Sequence, residues 1–114
     1  MAKIMLAEDD ITMVSLLKTL LKMEGFEVLA LTTGSDVPAE TGHKKPDILF
    51  LDVHFGNQNG VDIIKAIREN KELSDLRVVM TSGMNMQEEC ILAGANAFLL
   101  KPFSPDDLIR MLKQ

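Results

Sequence analysis

A chain of 114 residues, 46% of them apolar and 25% charged, has the size of one domain with room for one core and one site. Twelve basic against seventeen acidic residues give a formal charge of −5 and a pI near 4.9, which argues against direct contact with nucleic acid or an anionic membrane, since both need Lys and Arg stripes. No apolar stretch approaches the ~20 residues of a membrane span, no secretory signal precedes the first apolar run, and Cys90 is alone; the expected setting is cytoplasmic and reducing, with an inert buried thiol.

The first apolar run, Ile4 to Ala7, ends in three acids, Glu8, Asp9 and Asp10. Met13, Leu16, Leu17, Leu20 and Leu21 then recur at helical spacing and Gly25 follows, which predicts a helix over residues 11–24. Phe26 to Leu31 reads as a strand, with Glu27 marking it as more exposed than the others. The stretch SDVPAETGHK carries Pro38 and Gly42 and little periodic apolar surface, so only a short or frayed helix is expected. Ile48 to Leu51 is a strand closed by Asp52, and Val61, Ile63, Ile64 and Ile67 predict a helix of about residues 60–70. Val78 to Met80 is the fourth strand, followed by Thr81 and Ser82. Met86 to Ala93 predicts a two-turn helix ended by Gly94, and Phe98 to Leu100 is the fifth strand, followed by Lys101. Ser104 as N-cap, Pro105 at the first helical position and Asp107 three residues after the cap open a helix that runs to the end.

Near-continuous apolar strands that alternate with helices predict an α/β fold, a parallel sheet covered on both faces. Most of the Leu, Val and Met content, including all eight Met residues, is then packing. The polar residues that end the strands are not. In such sheets the ligand crevice lies outside the carboxyl ends of the strands, where Glu8, Asp9, Asp52, Thr81, Ser82 and Lys101 would converge.

That convergence has a chemical reading. Two carboxylates ~4 Å apart repel by about 4 kcal/mol at an effective dielectric near 20, so the acids need a cation. Hard oxygen ligands with no thiolate or paired imidazole suit Mg²⁺. Asp52 beside Mg²⁺ is the candidate nucleophile for phosphoryl transfer, with Glu8 and Asp9 holding the metal and Lys101 and the Ser82 hydroxyl contacting phosphoryl oxygens. Asp10 is expected to cap the first helix. His54 is expected at the mouth of the cleft without a side-chain ligand role, His43 has none, and Asp106 and Asp107 are helix N-terminal charges.

In order and spacing, Glu8 with Asp9, Asp52, Ser82 with Gly83, and Lys101 with Pro102 resemble the receiver domain of two-component response regulators, of the chemotaxis-regulator type. The resemblance covers the whole chain. It implies one receiver domain over residues 1–114, a flavodoxin-like doubly wound sheet of strand order 2-1-3-4-5, Mg²⁺ as cofactor, and a histidine kinase or phosphotransfer protein as phosphoryl donor. It further implies that the backbone carbonyl of His54 is a metal ligand, that Ser82 and Phe98 form the switch, that the Lys101–Pro102 bond is cis, and that phosphorylation alters the helix 4/strand 5/helix 5 face read by a downstream effector.

Two departures qualify the match. Phe55 and Gly56 stand where the family usually has Met-Pro, which predicts a loose loop after Asp52, and the interval from Ser82 to Lys101 is short in the helix 4 region. The alternative reading is a receiver-like interaction module working without phosphorylation. An aspartyl phosphatase usually wants a second Asp where this chain has His54, and a flavin carrier wants a phosphate loop where it has three acids. No turnover of small substrates is expected beyond self-dephosphorylation. No effector domain fits in the chain, so a stand-alone receiver or a piece of a regulator is expected.

Overall fold

The computed structural model describes all of residues 1–114. Its elements in chain order are β1 (Lys3–Ala7), α1 (Ile11–Met23), β2 (Glu27–Ala30), α2 (Val37–Lys44), β3 (Ile48–Asp52), β4 (His54–Phe55), β5 (Gln58–Asn59), α3 (Gly60–Glu69), a short 3₁₀ turn (Lys71–Leu73), β6 (Arg77–Ser82), α4 (Gln87–Ala93), β7 (Ala97–Leu100) and α5 (Pro105–Leu112). Five strands form one parallel sheet of order β2-β1-β3-β6-β7, while β4 and β5 make a small antiparallel hairpin. With the hairpin set aside, this is the expected 2-1-3-4-5 order of a flavodoxin-like sheet.

Alternate strand residues supply two cores, as the period of two requires. Met5, Ala7, Leu49, Leu51, Val78 and Met80 face α2, α3 and α4, where Val37, Ile63, Ile64, Ile67 and Cys90 meet them. Ile4, Leu6, Ile48, Phe50 and Val79 face Leu17 and Leu21 of α1 and Leu108 and Leu112 of α5. The edge strand β2 has no fully buried residue, in keeping with Glu27.

The caps explain the helix boundaries. Asp10, Asp36, Asn59 and Ser104 each accept a bond from a free N–H of the first turn of α1, α2, α3 and α5. The helix at 37–44 is firmer than its composition suggests. Val37 is buried, the buried Thr41 hydroxyl donates to the Val37 carbonyl, and Pro38 sits in the first turn, where its missing N–H costs nothing. The capping box at Ser104 is half made: Ser104 accepts from the Asp107 N–H at 3.1 Å, but the Asp107 carboxylate turns to Arg110. Helix α4 has only seven residues and no side-chain cap, consistent with the short interval before Lys101.

The expected loose loop after Asp52 is instead an ordered hairpin. Phe55 is fully buried, Phe55 pairs with Gln58, and Gly56 turns the chain at φ +60°. Glycine at the first central position of a two-residue turn is the II′ arrangement, whose twist matches the flanking strands.

Candidate functional site

Parallel register brings the strand ends level: Ala7 pairs with Leu51, Asp52 with Thr81, and Ser82 with Leu100. Glu8, Asp52, Ser82 and Lys101 therefore meet at one edge of the sheet, with Asp9 at its mouth. Glu8, Asp52 and Ser82 are buried, at 3%, 5% and 1% exposure, and Asp9 is exposed.

Lys101 is the hub. Its ammonium donates to Asp52 Oδ2 at 2.6 Å and lies 2.6 Å from Glu8 Oε1. Both approaches are ion pairs, so one ammonium compensates two buried carboxylates. Asp52 Oδ1 accepts the His54 N–H at 2.9 Å. The three consecutive acids divide their tasks: Glu8 turns inward, Asp10 caps α1 and gives its own N–H to Glu8 Oε2 at 3.0 Å, and Asp9 accepts the Gly56 N–H at 3.0 Å.

Burial raises the Glu8 carboxyl above the usual range, with bonds from Lys101 and the Asp10 N–H pulling it partly back. Burial also opposes charge on Lys101, but bonds and attraction from Asp52 and Glu8 outweigh it and raise its pKa, so the site keeps a fixed cation. The hydroxyls of β6 differ in availability. Thr81 spends its donor on the Leu99 carbonyl at 2.6 Å, whereas Ser82 Oγ accepts the Met84 N–H at 3.1 Å and retains its own proton for donation.

Oxygens of Glu8, Asp9 and Asp52 lie within 4.8 Å of one another. Three carboxylates that share a single ammonium, with only hard oxygen donors among them, fit a hard divalent cation. His54 meets the site through its backbone N–H. The Gly60 N–H bonds the Val53 carbonyl, so His54 and Asn59 form the non-hydrogen-bonded pair of the ladder and the His54 N–H and C=O both face away from Asn59. The N–H is the one that reaches Asp52.

Gly60 presses α3 onto the end of β3. A Cβ there would lie 2.7 Å from the Asp52 carbonyl oxygen and 2.8 Å from Val53 Cα, so only glycine permits the approach. Phe98 is half-buried against the α3 side of the core, and the Lys101–Pro102 peptide is cis. A groove of about 420 Å³ beside the acids is lined by Asp9, Ile11, Val14, Lys18 and Thr33. The largest cavity, about 630 Å³ between Lys45, Asp47, Glu72 and Asp75, lies at the opposite end of the strands and takes no part.

Sequence reasoning missed two features around the site: the Gly56 contact to Asp9 and the Gln58 side chain behind it. The Gly56-Asn57 pair was the available signal, because Gly-Asn between short runs marks a two-residue hairpin.

This fold and edge define a doubly wound, flavodoxin-like α/β protein with an acidic, lysine-paired site outside its strand ends. The chain belongs to the response regulator receiver domain family, which matches residues 4–113. It is 34% identical over 99% of its length to the transcriptional regulatory protein CpxR of Escherichia coli K12, and 25% identical over 97% to the DNA-binding response regulator MtrA of Mycobacterium leprae. The chain spans about half the length of these relatives, 48% and 49%. Among solved structures, a putative response regulator of Chloroflexus aurantiacus superposes with a TM-score of 0.90 at 27% identity, covering 98% of this chain and 94% of that one. The chemotaxis response regulator CheY4 of Vibrio cholerae gives 0.90 at 25% identity, covering 99% and 97%. No helix is long and apolar enough to cross a membrane.

Proposed function

We propose that residues 1–114 form a single cytoplasmic receiver domain that accepts a phosphoryl group on Asp52 from a phosphohistidine of a histidine kinase or phosphotransfer protein. The observation that carries this reading is the setting of Asp52: buried, bonded to Lys101 at 2.6 Å, and within reach of Glu8 and Asp9. An Asp52 carboxylate oxygen attacks phosphorus, the P–N bond to the donor imidazole breaks, and an acyl phosphate forms. Lys101 then offsets charge on the phosphoryl oxygens, and the Ser82 hydroxyl, with its proton free, donates to one of them. Mg²⁺, held by Glu8, Asp9, Asp52 and the His54 carbonyl, would supply charge neutralisation between carboxylates and phosphoryl group. Hydrolysis of the acyl phosphate returns the domain to its starting state.

The same reading extends to the output. Ser82 sits two residues before Met84 in the connection to α4, and the Lys101 N–H bonds the Ser82 carbonyl at 2.9 Å. Drawing the Ser82 hydroxyl toward a phosphoryl group would pull on the start of α4 and open room for Phe98, altering the α4–β7–α5 face for a downstream effector. CpxR and MtrA are named for transcriptional regulation and DNA binding, which lies with those longer proteins; no nucleic-acid or membrane contact is assigned to this chain. A phosphorylation-independent interaction module is not favoured, because the acids and the lysine are all in place.

Intact mass after incubation with Mg²⁺ and acetyl phosphate tests the chemistry. A one-phosphoryl gain that disappears in Asp52→Asn and without metal is expected. No gain, together with no binding of beryllofluoride and Mg²⁺, would overturn the reading.

A further inference from the structure

The hairpin after Asp52 is strapped to the loop after β2 by one side chain. The Gln58 amide nitrogen donates to the carbonyls of Thr33 at 2.9 Å and Ser35 at 2.8 Å. Both partners are acceptors, so only the NH₂ end can face them and the amide orientation is fixed. Those carbonyls belong to a turn that is itself closed, by the Ser35 N–H on the Thr32 carbonyl and by the paired Thr32 and Ser35 hydroxyls, each at 3.0 Å.

The strap has one product at the site. A Cβ on Gly56 would lie 2.9 Å from Thr33 Cβ, so the tip of the hairpin is seated on that turn. Seated there, Gly56 directs its N–H onto Asp9 Oδ2 at 3.0 Å, the only hydrogen bond the Asp9 carboxylate makes. Asp9 is otherwise an exposed side chain free to rotate, and a ligand that must be ordered when a cation arrives weakens binding. A bond to one oxygen orders the carboxylate and leaves the other oxygen available.

We infer that Gln58 is a positioning residue for the divalent-cation site: by strapping the Gly56 turn to Thr33 and Ser35, it holds the Gly56 N–H on Asp9 and presets that ligand. The inference rests on the proposed reading of Glu8, Asp9 and Asp52 as metal ligands. Gln58 touches neither cation nor phosphoryl group, so its effect should fall on metal affinity and not on the chemical step.

The test compares the full chain with Gln58→Ala and Gln58→Glu, the second nearly isosteric but unable to donate. Three quantities are read: Mg²⁺ affinity from amide shifts, the Mg²⁺ dependence of phosphoryl uptake from acetyl phosphate, and the urea midpoint. Outer partners of metal ligands are commonly worth 10–100-fold in affinity, and one acting through a further bond should give about three- to tenfold in both variants. The metal-free Gly56 amide signal should move upfield as its bond lengthens, while the uptake rate at saturating Mg²⁺ approaches that of the unmodified chain. A merely structural role would lower the urea midpoint and leave the Mg²⁺ midpoint in place. Affinities within about twofold in both variants, or a fall in the saturating rate at unchanged affinity, would overturn the inference. If the unmodified chain itself binds no Mg²⁺, the metal reading fails and this inference falls with it.

Discussion

Lys101 Nζ lies 2.6 Å from the buried Glu8 Oε1. The same ammonium donates to Asp52, so one cation holds two buried carboxylates together at the strand ends. The site is thus built around a charge balance that a second cation could share.

Removing that cation should destabilise the fold in a pH-dependent way. Lys101→Met leaves Glu8 and Asp52 buried without a partner, at a cost of roughly 3–5 kcal/mol near pH 7. Glu8 already has a raised pKa, chiefly from burial, and a raised acid contributes stability that is full below its unfolded value of 4.5 and is lost as pH rises through the folded one. The variant lacks the opposing pull of Lys101, so its deficit should widen from pH 4 to pH 7. Urea unfolding across that range is the measurement, and a deficit constant with pH would sink the account.

Magnesium should stabilise the native chain and the effect should need the acids. At a concentration a hundredfold above its dissociation constant, an ion that binds only the folded state adds about 2.7 kcal/mol. Unfolding followed in Mg²⁺ and again after excess chelator should show this difference, and Asp9→Ala should abolish most of it. An equal Mg²⁺ effect in the variant would remove Asp9 from the ligand set.

Gly60→Ala should be far more costly than a usual glycine replacement in a helix. The new Cβ would meet the Asp52 carbonyl oxygen and Val53 Cα, both backbone atoms that cannot swing aside, so α3 must shift. A loss of about 2–4 kcal/mol is expected, with a change in the Asp52 amide environment. A urea midpoint near that of the unmodified chain would show that α3 moves freely at its start.

The strands and the polar residues at their ends were legible for a physical reason. Buried parallel strands must be apolar on both faces, so the polar residues that follow each run mark the carboxyl edge, and Glu8, Asp52, Thr81, Ser82 and Lys101 stand there. The weaker elements were hidden because tertiary contacts make them. Helix α2 relies on the Asp36 cap and on burial of Val37 and Thr41, and the β4–β5 hairpin relies on Phe55 entering the core. The Gln58 strap joins loops distant in sequence, which no local pattern reveals.

Cys90 is fully buried, and burial with the nearby Glu89 charge pushes its thiol from 9.0 up to about 11. The neutral thiol contributes stability that is full below pH 9 and is lost as pH rises through 11. Since the thiolate is the reactive form, native protein at pH 8 should resist iodoacetamide for hours while urea-unfolded protein labels completely. Intact mass distinguishes the two, and fast native labelling would mean that α4 opens readily.

Arg68 near the end of α3 was the least legible residue in the sequence and is the most connected in the structure. Its guanidinium donates to the carbonyls of Gly94 at 2.9 Å, Leu76 at 2.7 Å and Ser74 at 3.1 Å, and to Asn96 Oδ1 at 2.9 Å. Asn96 Oδ1 also accepts the Val78 N–H at 2.7 Å, so one side chain fastens the end of α4 to the turn before β6. The neutral carbonyls satisfy the donors without cancelling the charge, and burial lowers its pKa from the ordinary value despite Asp75 nearby. Arg68→Ala should cost about 1–3 kcal/mol by leaving the part-buried carbonyls of Gly94 and Leu76 without donors. Arg68→Lys should recover less than half of that, because an ammonium cannot place five donors in a planar fork. Hydrogen exchange would localise the effect, with faster exchange expected at Ala95 and Asn96, whose N–H groups bond Cys90 and Val78. Full recovery by lysine would mean that charge alone, and not the fork, holds the end of α4.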